Sequence, residues 1–142
     1  GLPTICLRYF NVYGPRQTLT GAYRLVIAIF ADQRRRGKPM TIAGTGRNRR
    51  DYTFVGDVVR ANILAAESGV GDGRPVNIGR GRNYSVNEVA KMFGGPTTGI
   101  EARLEPGETL ADNSLARKLL GWKPSMNLPD WIKEYKRELG II

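Results

Sequence analysis

Close to its start the chain carries a run, Thr4-Ile5-Cys6-Leu7-Arg8-Tyr9-Phe10, that is largely apolar without clean alternation and breaks at Asn11-Val12-Tyr13-Gly14-Pro15. A short apolar run bounded by a Gly-Pro turn suits a strand covered on both faces, as in a parallel sheet. That sheet needs neighbours which this chain does not fully supply. Ligands of open α/β sheets bind at the C-terminal ends of the strands, so Asn11 and the loop after it lie where a site is expected. Cys6, the single cysteine, sits inside the apolar run and reads as a buried small hydrophobe, not as a nucleophile or ligand.

The rest of the chain alternates helix and strand signals. Leu25, Val26, Ile29 and Phe30 follow a helical stripe from Ala22, and Arg34-Arg35-Arg36 before Gly37 places cations at the negative end of the helix dipole. Met40 to Ala43 reads as a short strand, and Gly44 to Arg50 as irregular. Tyr52 to Val55 reads as strand, followed by a helix for which Asp57 is the expected cap. Pro75 to Gly79 is a further strand. Ser85-Val86-Asn87-Glu88 has capping-box spacing and opens a helix to about Phe93. Ile100 to Leu104 is a weak strand signal. A short helix from Asn113 to Leu120 stops at Gly121, and a last one runs from Asn127 to Leu139 with Trp131, Ile132 and Tyr135 on one stripe. No repeat or linker interrupts residues 1–142, which read as one α/β domain.

Composition removes several function classes. There is no histidine, so His-based metal sites and Ser-His or Cys-His catalysis are excluded. The apolar run Leu25 to Ala31 stops at Asp32, far short of a membrane span, and with no signal peptide in view a cytoplasmic setting is expected. The net charge of +9 is uneven: residues 1–60 hold eleven Lys/Arg against three Asp/Glu, and residues 61–142 hold eleven against ten. A basic field of that kind favours anionic partners: nucleic acid, a membrane surface or phosphorylated small molecules. A solvated face with its acidic complement elsewhere is the plainer alternative.

Four segments together carry a resemblance. Leu7-Arg8-Tyr9-Phe10-Asn11-Val12-Tyr13-Gly14-Pro15-Arg16-Gln17, Arg50-Asp51-Tyr52-Thr53-Phe54-Val55-Gly56-Asp57-Val58-Val59, Val76-Asn77-Ile78-Gly79 and Leu119-Leu120-Gly121-Trp122-Lys123-Pro124 occur in order over nearly the whole chain. They resemble the NAD-dependent nucleotide-sugar epimerases and dehydratases of the extended short-chain dehydrogenase type, and within these the UDP-glucose and UDP-N-acetylglucosamine 4-epimerases. The resemblance implies the C-terminal, substrate-binding portion of an extended Rossmann-type fold. Members of the family are about twice as long, and their N-terminal half holds NAD with a Gly-x-x-Gly-x-x-Gly loop and carries a Tyr-x-x-x-Lys helix. Neither motif is found here: none of the tyrosines at 9, 13, 23, 52, 84 and 135 is followed four places on by Lys. By this resemblance the chain starts shortly after the catalytic helix would end, and no residue of it is expected to be catalytic.

The resemblance also implies site residues. Arg50 is expected on the diphosphate, where a forked guanidinium suits paired phosphate oxygens, with surface pairing to Asp51 as the alternative. Asn11 is expected on the phosphates or sugar, or as a turn residue only. Tyr9 is expected near the nicotinamide, or as a packed strand aromatic. Ala22 and Tyr23 resemble the segment lining the nucleotide, and Thr41 and Ile42 the strand whose backbone meets the base; both segments suit plain scaffold equally. Arg16, Gln17, Arg47 and Arg49 have loop positions without an assignment. Many relatives carry Arg-x-Gly-Asp or Arg-x-Gly-Glu before the penultimate helix, whereas this chain has Arg103-Leu104-Glu105-Pro106-Gly107-Glu108, with Glu105 where that Arg would fall. Arg103 is then the candidate second phosphate contact, and Glu108 or Glu105 the ribose contact.

The resulting expectation is the substrate-binding part of an NAD-dependent UDP-sugar 4-epimerase, inactive alone, partnered by an N-terminal Rossmann half and homodimeric at full length. A nucleotide-sugar dehydratase or decarboxylase is the alternative within the family. Outside it stand a self-sufficient nucleotide-binding domain and a basic nucleic-acid module built on Arg34 to Arg36 and Arg47 to Arg50. The last lacks the aromatics interleaved with basic residues that a stacking platform requires.

Overall fold

The computed structural model describes residues 1–19, 21, 23–102 and 104–141. In chain order its first elements are β1 (Thr4–Tyr9), β2 (Val12–Tyr13), α1 (Val26–Arg35), β3 (Met40–Ala43) and β4 (Arg49–Asp51). There follow β5 (Thr53–Phe54), α2 (Val55–Glu67), β6 (Asp72–Ile78), β7 (Asn83–Ser85) and α3 (Val86–Phe93). The chain ends with β8 (Thr97–Ile100), α4 (Ser114–Leu120) and α5 (Leu128–Glu138).

Parallel pairing dominates, as expected of α/β connectivity. β1 pairs with β6, β2 with β5 and β3 with β8, all parallel, while β4 and β7 pair antiparallel. Two apolar clusters hold these pairs. One gathers Tyr13, Ile27, Phe30, Met40, Val89, Phe93, Trp131 and Ile132, so that α1, α3 and α5 share a core over β3. The other joins Val58, Ala61 and Ala65 of α2 to Val76 and Ile78 of β6 and to Ala116, Leu120 and Trp122. Local signals set the helix limits. Ser85 and Glu88 close a reciprocal capping box, Pro129 stands in the first turn of α5, and Gly121 ends α4 in the left-handed conformation at φ 61°.

Four expectations are corrected. β1 is not covered on both faces: Ile5 and Leu7 pack against the second cluster, while Thr4, Cys6 and Arg8 are exposed, so Cys6 is not a buried hydrophobe. The reason is packing: the second cluster covers the face of Ile5 and Leu7, and the alternating residues Thr4, Cys6 and Arg8 lie on the opposite face, which no described element buries. Second, Arg49 and Arg50 are not irregular, because β7 supplies an antiparallel partner in which Arg50 faces Tyr84. Third, β8 is Thr97–Ile100 and ends at the first residue of the expected stretch, since its partner β3 ends at Ala43, opposite Ile100. Fourth, Asp57 does not cap α2, whose N-cap is Phe54. It lies in the first turn and binds a distant segment instead.

A candidate ligand cavity at the β1 turn, α1 and β4

The turn between β1 and β2, the N-terminus of α1, β3 and β4 surround a cavity of about 210 Å³. Its polar lining is Asn11, Arg24, Thr41, Asn48, Arg50 and Glu105, with Leu25, Val26, Ile29, Tyr52, Val86 and Ile100 as the apolar part. Asn11 adopts φ 28°, a left-handed value that Asn tolerates better than most residues, and the turn it makes links β1 to β2. The first residues of α1 line the cavity and its first turn has no acidic side chain, so the helix sets no anion of its own against the positive end of its dipole.

Arg50 is held from both sides. Its Nη1 donates to the Arg49 carbonyl oxygen at 2.8 Å and its Nη2 donates to the Glu105 carboxylate, leaving the side chain 13% exposed. The backbone beneath it is fastened by the next residue. Asp51 is fully buried, and its carboxylate accepts from the backbone N–H groups of Arg80 and Gly81, each at 2.8 Å, and of Ala111 at 3.0 Å. Burial pushes the Asp51 carboxyl above its ordinary range, against the opposing pull of these three donors. Gly79 permits the close approach, since a Cβ there would collide with the Ala111 side chain and press on Asp51. Beside Arg50, burial also pushes the Tyr52 phenol up.

The expected site residues separate into those the fold gathers and those it does not. Asn11, Thr41 and Arg50 line the cavity together. Thr41 is oriented by Gln33, whose Oε1 accepts from the Thr41 N–H at 3.0 Å and whose Nε2 donates to the Thr41 hydroxyl oxygen at 2.9 Å. Ile42, one residue on in β3, turns to the other face and packs against the first core cluster, as strand alternation dictates. Tyr23 is 94% exposed and does not line the cavity. Glu108 accepts from Asn83 Nδ2 at 2.6 Å and bridges to Arg49, outside the cavity. Tyr9 donates its hydroxyl to Asn62 Oδ1 at 2.9 Å on α2 and is half exposed, away from the cavity. Ala22 and Arg103 lie outside the described residues. Arg24 and Asn48 line the cavity without having been foreseen. Arg24 directly precedes an apolar helical stripe, and that position was the one available signal for it.

No group of three or more His, Cys, Asp or Glu among the described residues is placed to hold a metal. For NAD the chain's own residues offer little: the hydroxyl of Tyr9 is engaged by Asn62, and the first turn of α2 carries Asp57, an anion where a pyrophosphate would need donors.

A part-buried guanidinium, a second arginine and a helix N-terminus without an acidic first turn surround one cavity on a parallel α/β frame, an arrangement whose chemistry suits an anionic small molecule. The chain belongs to the NAD dependent epimerase/dehydratase family, whose pattern matches residues 1–79. An uncharacterized UDP-glucose epimerase of Bacillus subtilis is 35% identical over 138 residues, covering 92% of this chain and 42% of that protein. UDP-glucuronic acid decarboxylase 2 of Arabidopsis thaliana is 31% identical over 144 residues, covering 93% of this chain and 31% of its own length. The crystal structure of a UDP-glucose 4-epimerase from Thermotoga maritima with UDP-glucose superposes with a TM-score of 0.83 at 38% identity, over 94% of this chain and 46% of that one. The chain thus spans less than half the length of the relatives it matches.

Proposed function

We propose that this chain is the UDP-sugar-binding portion of an NAD-dependent UDP-sugar 4-epimerase, with Arg50 on the diphosphate. The observation that carries the reading is the part-buried Arg50 guanidinium facing a cavity that also holds Arg24, Asn11 and the start of α1. A diphosphate answers to forked donors and a helix N-terminus together. The solved structure from Thermotoga maritima, which contains UDP-glucose, supports the choice of nucleotide sugar.

The same proposal assigns the chemistry elsewhere. An N-terminal Rossmann half, pairing along the free edge of β1, would bring NAD and the catalytic Tyr and Lys, with Tyr9 on the nicotinamide side, and the assembled protein would form a homodimer. Arg103 and Glu108 remain the proposed second phosphate and ribose contacts, Tyr23 and Ala22 the outer wall of the nucleotide, and the backbone at Thr41 and Ile42 its base contact. No helix among the described residues is long and apolar enough to cross a membrane, in keeping with the proposed cytoplasmic setting. The decarboxylase reading is kept because UDP-glucuronic acid decarboxylases match the chain at 31% identity.

Titration with UDP by calorimetry tests the binding role, and interconversion of UDP-glucose and UDP-galactose with added NAD tests the inactivity. Saturable UDP binding without turnover is the expected pair of results; turnover by this chain alone would overturn the division of labour.

A further inference from the structure

The anion that Arg50 meets in this structure comes from its own chain. Nη2 donates to Glu105, 55 positions away in sequence, and Nη1 to the Arg49 carbonyl oxygen. Glu105 belongs to the stretch after β8. Among the described residues that stretch is fastened at the Ile100 carbonyl, which accepts from Gly44 N–H at 3.0 Å, and next at the Gly107 carbonyl, which accepts from Arg49 N–H at 2.8 Å. Residues 101, 102 and 104–106 between these points are exposed, Leu104 completely. Glu105 is therefore a lightly tethered carboxylate seated on the most buried cation of the cavity.

A carboxylate and a phosphate present the same paired anionic oxygens to a guanidinium fork. In a cavity of about 210 Å³ an incoming anion cannot use Arg50 fully while Glu105 remains on it, because the two like charges would share one small, partly desolvated space. The other cationic side chain of the lining, Arg24, reaches the Leu19 carbonyl oxygen at 3.5 Å and, among the described residues, pairs with no carboxylate. We infer that Glu105 is an internal stand-in for the ligand's anion: it occupies Arg50 in the ligand-free chain and sets the affinity for a nucleoside diphosphate by having to be displaced. The inference rests on the reading of the cavity as a diphosphate site and goes beyond it by naming a competitor within the chain.

The test compares UDP affinity of the wild type, Glu105→Gln and Glu105→Ala by calorimetry, each checked for an unchanged melting temperature and circular dichroism spectrum. Removing the competing charge is expected to tighten UDP binding on the order of ten-fold in both variants, the scale of one charge-assisted hydrogen bond. Arg50→Lys is expected to lose more affinity in the Glu105→Gln background than in the wild type, because only there is Nη2 released from the competing carboxylate. Unchanged or weaker UDP binding in both Glu105 variants would overturn the inference while leaving the cavity a nucleotide site, weaker binding marking Glu105 as a ligand contact. If none of the three folded proteins binds UDP, the diphosphate reading falls and the inference falls with it.

Discussion

The carboxylate of Asp57, 1% exposed in the first turn of α2, accepts the backbone N–H of Ser125 at 2.9 Å and the Ser125 hydroxyl at 2.7 Å, across 68 positions of chain. Met126 N–H donates to the same carboxylate at 3.2 Å, and Arg60 pairs with it at 3.0 Å. One residue thereby ties the connection between α4 and α5 to the second core cluster. Asp57→Ala would leave these donors unsatisfied and is expected to cost about 2–4 kcal/mol of unfolding free energy. Urea denaturation measures it. Since Asp57 does not line the cavity, UDP affinity of the folded fraction should not move.

The capping box gives a prediction with a pH signature. Ser85 Oγ accepts from Glu88 N–H at 3.1 Å, and Glu88 Oε2 accepts from Ser85 N–H at 2.7 Å. Ser85→Ala should cost about 1 kcal/mol, the usual worth of an N-cap. The Ser85 N–H holds the Glu88 carboxyl below its usual range, with Ser85 Oγ and Arg49 adding to the effect. A lowered folded value means that the carboxylate stabilises the fold above the unfolded value, about 4.3, and that this contribution fades as pH falls through the folded value. Stability of wild type and Glu88→Gln measured against pH should converge only once pH has fallen below the lowered folded value; a gap that persists there would show that charge is not what the box uses.

Arg50→Lys isolates the fork from the charge. A lysine keeps the cation but loses the planar pair of donors, and UDP affinity is expected to fall by about 1.5–3 kcal/mol, or roughly ten- to a hundred-fold. Measuring the loss at two salt concentrations separates this from a nucleic-acid surface, where one phosphate contact fewer would lower the salt slope by about one for any sequence. An unchanged UDP affinity would take Arg50 out of the site.

The open edge of β1 predicts self-association. Among the described residues no strand pairs with that edge, and the nearby α2 presents Val59 and Ile63, one turn apart, to solvent, with Leu2 exposed as well. Unpaired edges beside apolar surface invite pairing with another chain. Sedimentation velocity at micromolar concentration should find dimers or larger species, and Ile63→Lys should shift them toward monomer. A wild-type monomer would mean that the edge needs no partner.

Sequence alone determined the features whose causes lie within a few residues of one another. The capping box at Ser85 and Glu88, the stop at Gly121 and the stripe of α5 could be placed because their partners are one helical turn away. The motifs around Asn11 and Arg50 likewise pointed to the family, which the match over residues 1–79 establishes. Tertiary structure decided the rest. Strand status for Arg49 to Asp51 depends on β7, 34 positions later, and the truncation of β8 depends on where β3 ends. Cys6 lost its expected burial because burial depends on what packs against each face of the strand, and only the face of Ile5 and Leu7 is covered. Which of Thr41 and Ile42 faces the cavity follows from the register of β3 against β8, and the seating of Glu105 on Arg50 from a loop closure across 55 positions. Local spacing encodes what adjacent backbone groups can bond to, whereas contacts closed over long loops depend on the whole fold having formed first.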